Sequence, residues 1–69
     1  MADHVYKVVE VVGTSQESIS KAIDAGIGKA AKSLRHLGWF EVTQIRGHVA
    51  NGKVDRYQAS LKLGFTLED

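Results

Sequence analysis

No cysteine occurs among the 69 residues, which excludes disulfides and thiolate metal sites. The three histidines, His4, His36 and His48, lack the i, i+4 helical spacing of a zinc-binding pair. No apolar run approaches the roughly 18 residues of a membrane span. The opening stretch, MADHVYKVVE, has no apolar segment of signal-peptide type. Nor does one charge dominate. Nine basic and eight acidic side chains leave a formal net charge of +1, far from the basic footprint of a dedicated nucleic-acid binder. These absences describe a soluble, cytoplasmic protein with no nucleic-acid or membrane partner. They also leave a shortfall, because a chain this short buries only about 60% of its unfolded surface. Disulfides, a metal or oligomerisation are the usual remedies. With the first two removed, self-association is the expected source of stability.

What is present reads as one domain over residues 1–69. The segment HVYKVVEVVGTS is rich in valine and predicts a strand from about His4 to Val12. Val5, Val9 and Val11 fall on one face, and Tyr6, Val8 and Val12 on the other. A strand apolar on both faces is usually covered on both, and a single helix covers only one. Next, Thr14 and Glu17 have the spacing of a capping box. Ile19, Ile23, Ile27, Ala30, Leu34 and Leu37 then recur every three or four residues, one apolar stripe on a helix. Lys32, Arg35 and His36 suit its C-terminal end, and Gly38 its stop. Gly26 and Gly28 inside the helix each cost about 1 kcal/mol relative to alanine, and are read as allowing close backbone packing.

Asn51-Gly52 is a type I′ hairpin signal, joining strands from about Trp39 to Ala50 and Lys53 to Leu67. In the last strand Tyr57, Ala59, Leu61, Leu63, Phe65 and Leu67 alternate with Arg56, Gln58, Ser60 and Lys62, so the apolar set packs on the helix. A helical crossover favours a parallel relation between the first two strands. The fold class is therefore α+β: a β-α-β-β unit whose three-stranded antiparallel sheet, order 1-3-2, packs on one helix.

A two-residue turn also predicts the pairing across the hairpin. If Ala50 faces Lys53, then Trp39 falls opposite Gly64, Glu41 opposite Lys62, Thr43 opposite Ser60, Ile45 opposite Gln58 and Gly47 opposite Arg56, all on the face away from the helix. Trp39, the one tryptophan, thus stands outward, where something flat has room to lie on it. On the pattern alone its commoner role is packing in a subunit interface. No catalytic set stands out. Ser15, Ser18 and Ser20 suit helix capping or solvent, and His48 opposite Asp55 lacks a nucleophile and reads as an ordinary cross-strand pair. The glycines of GIG follow no strand and cap no helix, unlike a phosphate loop.

VYKVVEVVGTS, GWFEV, IRGHV and YQASLKLGF, in this order and spacing, resemble the bacterial flavin-binding dodecins over nearly the whole chain. The resemblance implies a strand–helix–strand–strand fold and a hollow homododecamer that stores flavin (FMN or riboflavin) and buffers its photochemistry, with no enzymatic turnover. It implies that Trp39 stacks on the isoalloxazine and Gln58 hydrogen-bonds its pyrimidine edge, with Tyr6 and His4 lining the entrance. Arg46 matches the arginine of bacterial members and suits a phosphorylated flavin such as FMN. The alternation puts Arg46 on the helix side, so a bulge or a curl of the hairpin is needed to bring it round. Trp39 and Gln58 lie about six rungs apart, or about 20 Å, which predicts a site shared across a two-fold axis. Some relatives bind coenzyme A through basic residues, and Lys7, Lys29 and Arg35 are the candidates here, although Thr66 stands where several relatives carry arginine. Two other functions stay open: a structural oligomer with an interface tryptophan, and a coenzyme A carrier.

Overall fold

The computed structural model describes residues 4–67, so residues 1–3 of the N-terminal segment and residues 68–69 lie outside it. Four elements follow in order: β1 (Tyr6–Ser15), α1 (Ile19–Ala30), β2 (Leu37–Ala50) and β3 (Lys53–Thr66). The sheet order is β1-β3-β2, with β3 antiparallel to both neighbours. Fold class and strand order match the sequence reading.

The boundaries of β1 and α1 do not. β1 continues through Thr14 and Ser15, which pair with Gln58 and Tyr57, so Thr14 is part of the sheet and the expected Thr14–Glu17 box does not form. Ser18 caps the helix instead. Its backbone is extended (φ −167°) and its Oγ accepts from the Lys21 N–H at 3.0 Å. Ser15 Oγ holds the turn before it, accepting from the Glu17 N–H at 2.9 Å. The helix ends at Ala30, several residues before Gly38. After a last α-type bond from the Ala31 N–H to the Ile27 carbonyl at 2.8 Å, the chain tightens into i→i−3 bonds, Lys32 N–H to the Lys29 carbonyl at 3.2 Å and Ser33 N–H to the Ala30 carbonyl at 3.1 Å. The left-handed reversal falls on His36 (φ 64°), not on Gly38. The His36 carbonyl accepts from the Thr66 N–H at 3.2 Å, tying this turn to the end of β3. Gly38 lies within β2, at an irregularity in the ladder.

The buried line of α1 is Ala22, Gly26 and Ala30, with Ile23 and Ile27 flanking it. The smallest residues point most directly at the sheet because the backbones meet there. A Cβ on Gly13 of β1 would collide with the Ala22 carbonyl, and one on Gly26 would sit 3.0 Å from Leu61 Cδ1. Close approach thus accounts for Gly26. It does not account for Gly28, which is exposed and has nothing within 4 Å of its Cβ position.

The buried core is small: Ala22, Ala30, Ala59, Leu61 and Leu63, backed by partly buried residues that include Val9, Val11 and Val42. The accessible surface of 5193 Å² exceeds the roughly 4,200 Å² expected of a compact monomer of this mass. The excess follows from the shape, 56 × 20 × 14 Å, in which the β2–β3 hairpin extends beyond the helix.

Asn51 (φ 53°) and Gly52 (φ 73°) form the left-handed pair of the type I′ turn. Ala50 pairs with Lys53 and Val49 with Val54, as the turn dictates. The ladder then slips. His48 pairs with Arg56, leaving Asp55 unmatched, and the frame returns only beyond Thr43, the unmatched residue between Val42 and Gln44. Between the slips the pairs are Gly47–Tyr57, Arg46–Gln58, Ile45–Ala59 and Gln44–Ser60. The expected pairs His48–Asp55, Gly47–Arg56, Ile45–Gln58 and Thr43–Ser60 are therefore corrected. A bulge inserts one unmatched residue and reverses the alternation beyond it. Thr43 anchors the slip by donating its hydroxyl to the Ser60 carbonyl at 3.2 Å.

Candidate functional site

On β3 the odd-numbered residues from Tyr57 to Phe65 face the helix, so the even-numbered ones face outward. The pairings align this outer face into rungs across all three strands: Val8–Gly64–Trp39, Glu10–Lys62–Glu41, Val12–Ser60–Gln44 and Thr14–Gln58–Arg46. One end of the face is aromatic. The Trp39 ring lies across Gly64, where a Cβ would collide with its Nε1, Cε2 and Cζ2 atoms. The space that glycine leaves is thus filled by the indole itself, one face against the backbone. Trp39 remains 41% exposed, so ring surface is open for a second flat group. Tyr6 meets it edge-on, with centroids 6.2 Å apart and planes at 66°. His4 lies 6.3 Å from Tyr6. The structure therefore brings His4, Tyr6 and Trp39 together.

The other end is polar. The slip at Thr43 places Arg46 on the outer face beside Gln58, correcting its expected place on the helix side by the bulge that the alternation required. Arg46 Nε donates to Gln58 Oε1 at 3.0 Å, and Arg46 Nη1 donates to Gln44 Oε1 at 3.3 Å. Gln44 was absent from the sequence-based set. Its signal is the skipped beat between Val42 and Ile45, which moves residues 44 and 46 together from the helix side to the outer face.

Between the ends lies an open depression of about 610 Å³ lined by Glu10, Thr43, Gln44, Ser60 and Lys62, among others. On its Glu10–Lys62–Glu41 rung a cation sits between two carboxylates, an arrangement that favours sheet pairing. Trp39 and Gln58 stay about six positions apart along β3, roughly 20 Å. One chain therefore does not put both on a single flavin-sized ring. The basic residues considered for coenzyme A are not gathered. Lys7 pairs with Phe65 on the opposite face from Trp39, while Lys29 and Arg35 line two separate depressions. Among the described residues no group of three or more histidine, aspartate or glutamate side chains could hold a metal ion, and no helix is long and apolar enough to cross a membrane.

The sequence model of the dodecin family matches residues 5–68. The chain belongs to the dodecin family. It is 52% identical over 65 residues to the dodecin of Thermus thermophilus, covering 94% of each protein. Dodecin from Streptomyces coelicolor is a structural neighbour with a TM-score of 0.93 and 48% identity, over 100% of this chain and 99% of that one. Dodecin from Streptomyces davaonensis reaches 0.93 at 40% identity, over 99% and 100%. The β-α-β-β unit described above is the dodecin fold.

Proposed function

We propose that this dodecin-family chain assembles into a hollow homododecamer that binds, stores and buffers flavin (FMN or riboflavin) and does not turn over a substrate. The observation that carries the reading is the indole of Trp39, held across Gly64 with ring surface still open. Such a ring is a preformed platform for a flat aromatic group. Offset stacking adds about 0.5–1.5 kcal/mol beyond burial, and holding the ring in advance lowers the ordering cost of binding.

The second contact is the amide of Gln58, which offers a donor and an acceptor to the pyrimidine edge of the ring. At about 20 Å from Trp39, this amide serves the same ligand only if it comes from another subunit. A two-fold axis that sets Trp39 of one copy near Gln58 of its mate satisfies both contacts. His4 and Tyr6, next to the indole, line the entrance. Self-association also covers the half-exposed outer residues Tyr6, Val8 and Val12 of β1, which the single helix leaves bare. A bound flavin loses its excitation to an adjacent indole by electron transfer, which is the basis of the photoprotective role.

The test is a fluorescence titration of FMN against the oligomer, run beside Trp39→Ala at matched assembly size. Wild type should quench FMN to a stoichiometric endpoint, and the variant should lose at least about 30-fold in affinity, since aromatic anchors commonly carry about 2 kcal/mol or more. If the variant dissociates, or if wild type does not quench, Trp39 is an interface residue and the flavin reading is wrong.

A further inference from the structure

The Arg46 side chain lies along the outer face of the sheet, bonded to the oxygen atoms of two glutamines, Gln58 at 3.0 Å and Gln44 at 3.3 Å. A guanidinium has five N–H donors and no acceptor. Either amide can therefore approach it only through its oxygen. Turning an amide over would exchange a charge-assisted hydrogen bond for two donors facing each other. Both amides are thus held with oxygen toward the arginine and NH2 away from it.

We infer that Arg46 is a positioning residue for the flavin site, fixing the Gln58 amide so that its NH2 group is presented to the ligand and selects a ring edge bearing carbonyl oxygens. The inference rests on the flavin reading above and assigns Arg46 a role within it that does not involve the ligand's phosphate. A flavin's pyrimidine edge places an N–H between two carbonyl oxygens. The NH2 of Gln58 donates to a carbonyl, and the second lone pair of Oε1 remains to accept from the ring N–H. Without Arg46 the amide would have two orientations of similar energy, one of which faces the ligand with mismatched groups. Gln44, on the neighbouring rung, is oriented by the same guanidinium and adds a second NH2 pointing away from it.

The alternative role for this arginine is a cation for the phosphate of FMN. The two roles separate on lumiflavin, which has the ring but neither ribityl chain nor phosphate. In quenching titrations of the assembled protein, Arg46→Ala should weaken lumiflavin by about three- to tenfold, the worth of one neutral hydrogen bond. Arg46→Lys should not restore it, because an ammonium keeps the charge but lacks the planar fork. In a Gln58→Ala background the same Arg46→Ala change should alter lumiflavin affinity by less than about twofold, since the amide that Arg46 orients is gone. Assembly of each variant is checked by size-exclusion chromatography, and if Arg46→Ala does not assemble, Arg46→Lys completes the cycle. Unchanged lumiflavin affinity in the single variant overturns the inference, whatever happens to FMN. So does a loss that persists undiminished without Gln58. If the cycle is flat while wild type binds both flavins, only the positioning role fails. If wild type binds neither, the flavin reading fails and takes this inference with it.

Discussion

The two halves of the β2–β3 hairpin are built from similar strands and end in different surroundings. In the near half, Leu61 and Leu63 are 1% exposed beneath α1, and Trp39–Gly64 and Glu41–Lys62 keep the register set by the turn. In the far half the helix has ended, Ile45 is 63% exposed and Val49 74%, and the ladder runs one residue out of frame between Thr43 and Asp55. The near half has a core of its own, whereas the far half, beyond the buried Ala59, has apolar side chains with little cover within the chain. The candidate site is divided in the same way, with the stacking platform in the near half and the amides in the far half. In the proposed assembly, a far half covered by a second copy and a site completed by a second copy are one event.

A pair of truncations breaks or sharpens that contrast. Leu61→Ala empties a buried position and should cost about 2–5 kcal/mol, read as a fall in the denaturation midpoint at fixed protomer concentration. Ile45→Ala removes a side chain with little cover in the chain, so secondary structure should survive. Its effect should appear on dilution, as a loss of about 1–2 kcal/mol per protomer if an interface buries the exposed part of that side chain. An Ile45→Ala oligomer that resists dilution like wild type would mean that the far half stays bare, and the contrast would then be one of shape alone.

The same two halves show how far the sequence could be read. Strand order, the turn at Asn51-Gly52, the helix-facing row Ala59, Leu61 and Leu63, and the outward Trp39 all follow from alternation and turn chemistry. The frame slip was missed because counting back from the turn assumes an unbroken ladder. Yet it is written in the chain. Phe40 and Val42 keep one alternation, while Ile45, Gly47 and Val49 keep another, one residue out of phase, and the gap falls at Thr43. The capping error has a different cause. Thr14 and Glu17 do have box spacing, but pairing with Gln58 keeps Thr14 in the sheet, and tertiary pairing overrides a local signal worth about 1 kcal/mol. His36 takes the left-handed position assigned to Gly38 because the chain must reverse before Leu37 to reach Phe65. Only the spatial position of β3 reveals that requirement.

Gly64→Ala tests the near half alone. The added methyl has no room under the indole, so the ring must swing away or the strand must shift, at about 1–3 kcal/mol. Tryptophan fluorescence should move as the ring leaves its seat, and FMN quenching should weaken although Trp39 is still present. An unshifted emission spectrum with full quenching would show that the platform does not depend on Gly64. Of smaller size is the cap: Ser18→Ala should lower stability by about 1 kcal/mol, while Thr14→Ala, which removes no cap, should cost clearly less. Equal losses at the two positions would restore the box that the structure rules out.

The smallest expected effect also carries the most informative sign. Gly26 and Gly28 sit two residues apart in α1, and alanine favours a helix by about 1 kcal/mol over glycine at either. At Gly26 that gain meets backbone and side chain, with Leu61 Cδ1 at 3.0 Å and the Gly13 Cα at 3.4 Å. Overpacking of about 1–3 kcal/mol then outweighs it, and Gly26→Ala should destabilise. At Gly28 nothing stands within 4 Å, so Gly28→Ala should raise the thermal midpoint by the full propensity gain or a little less. A fall in the midpoint at Gly28, absent when the same variant is measured below its dissociation concentration, would mean that another copy approaches this turn of the helix as closely as β1 approaches Gly26.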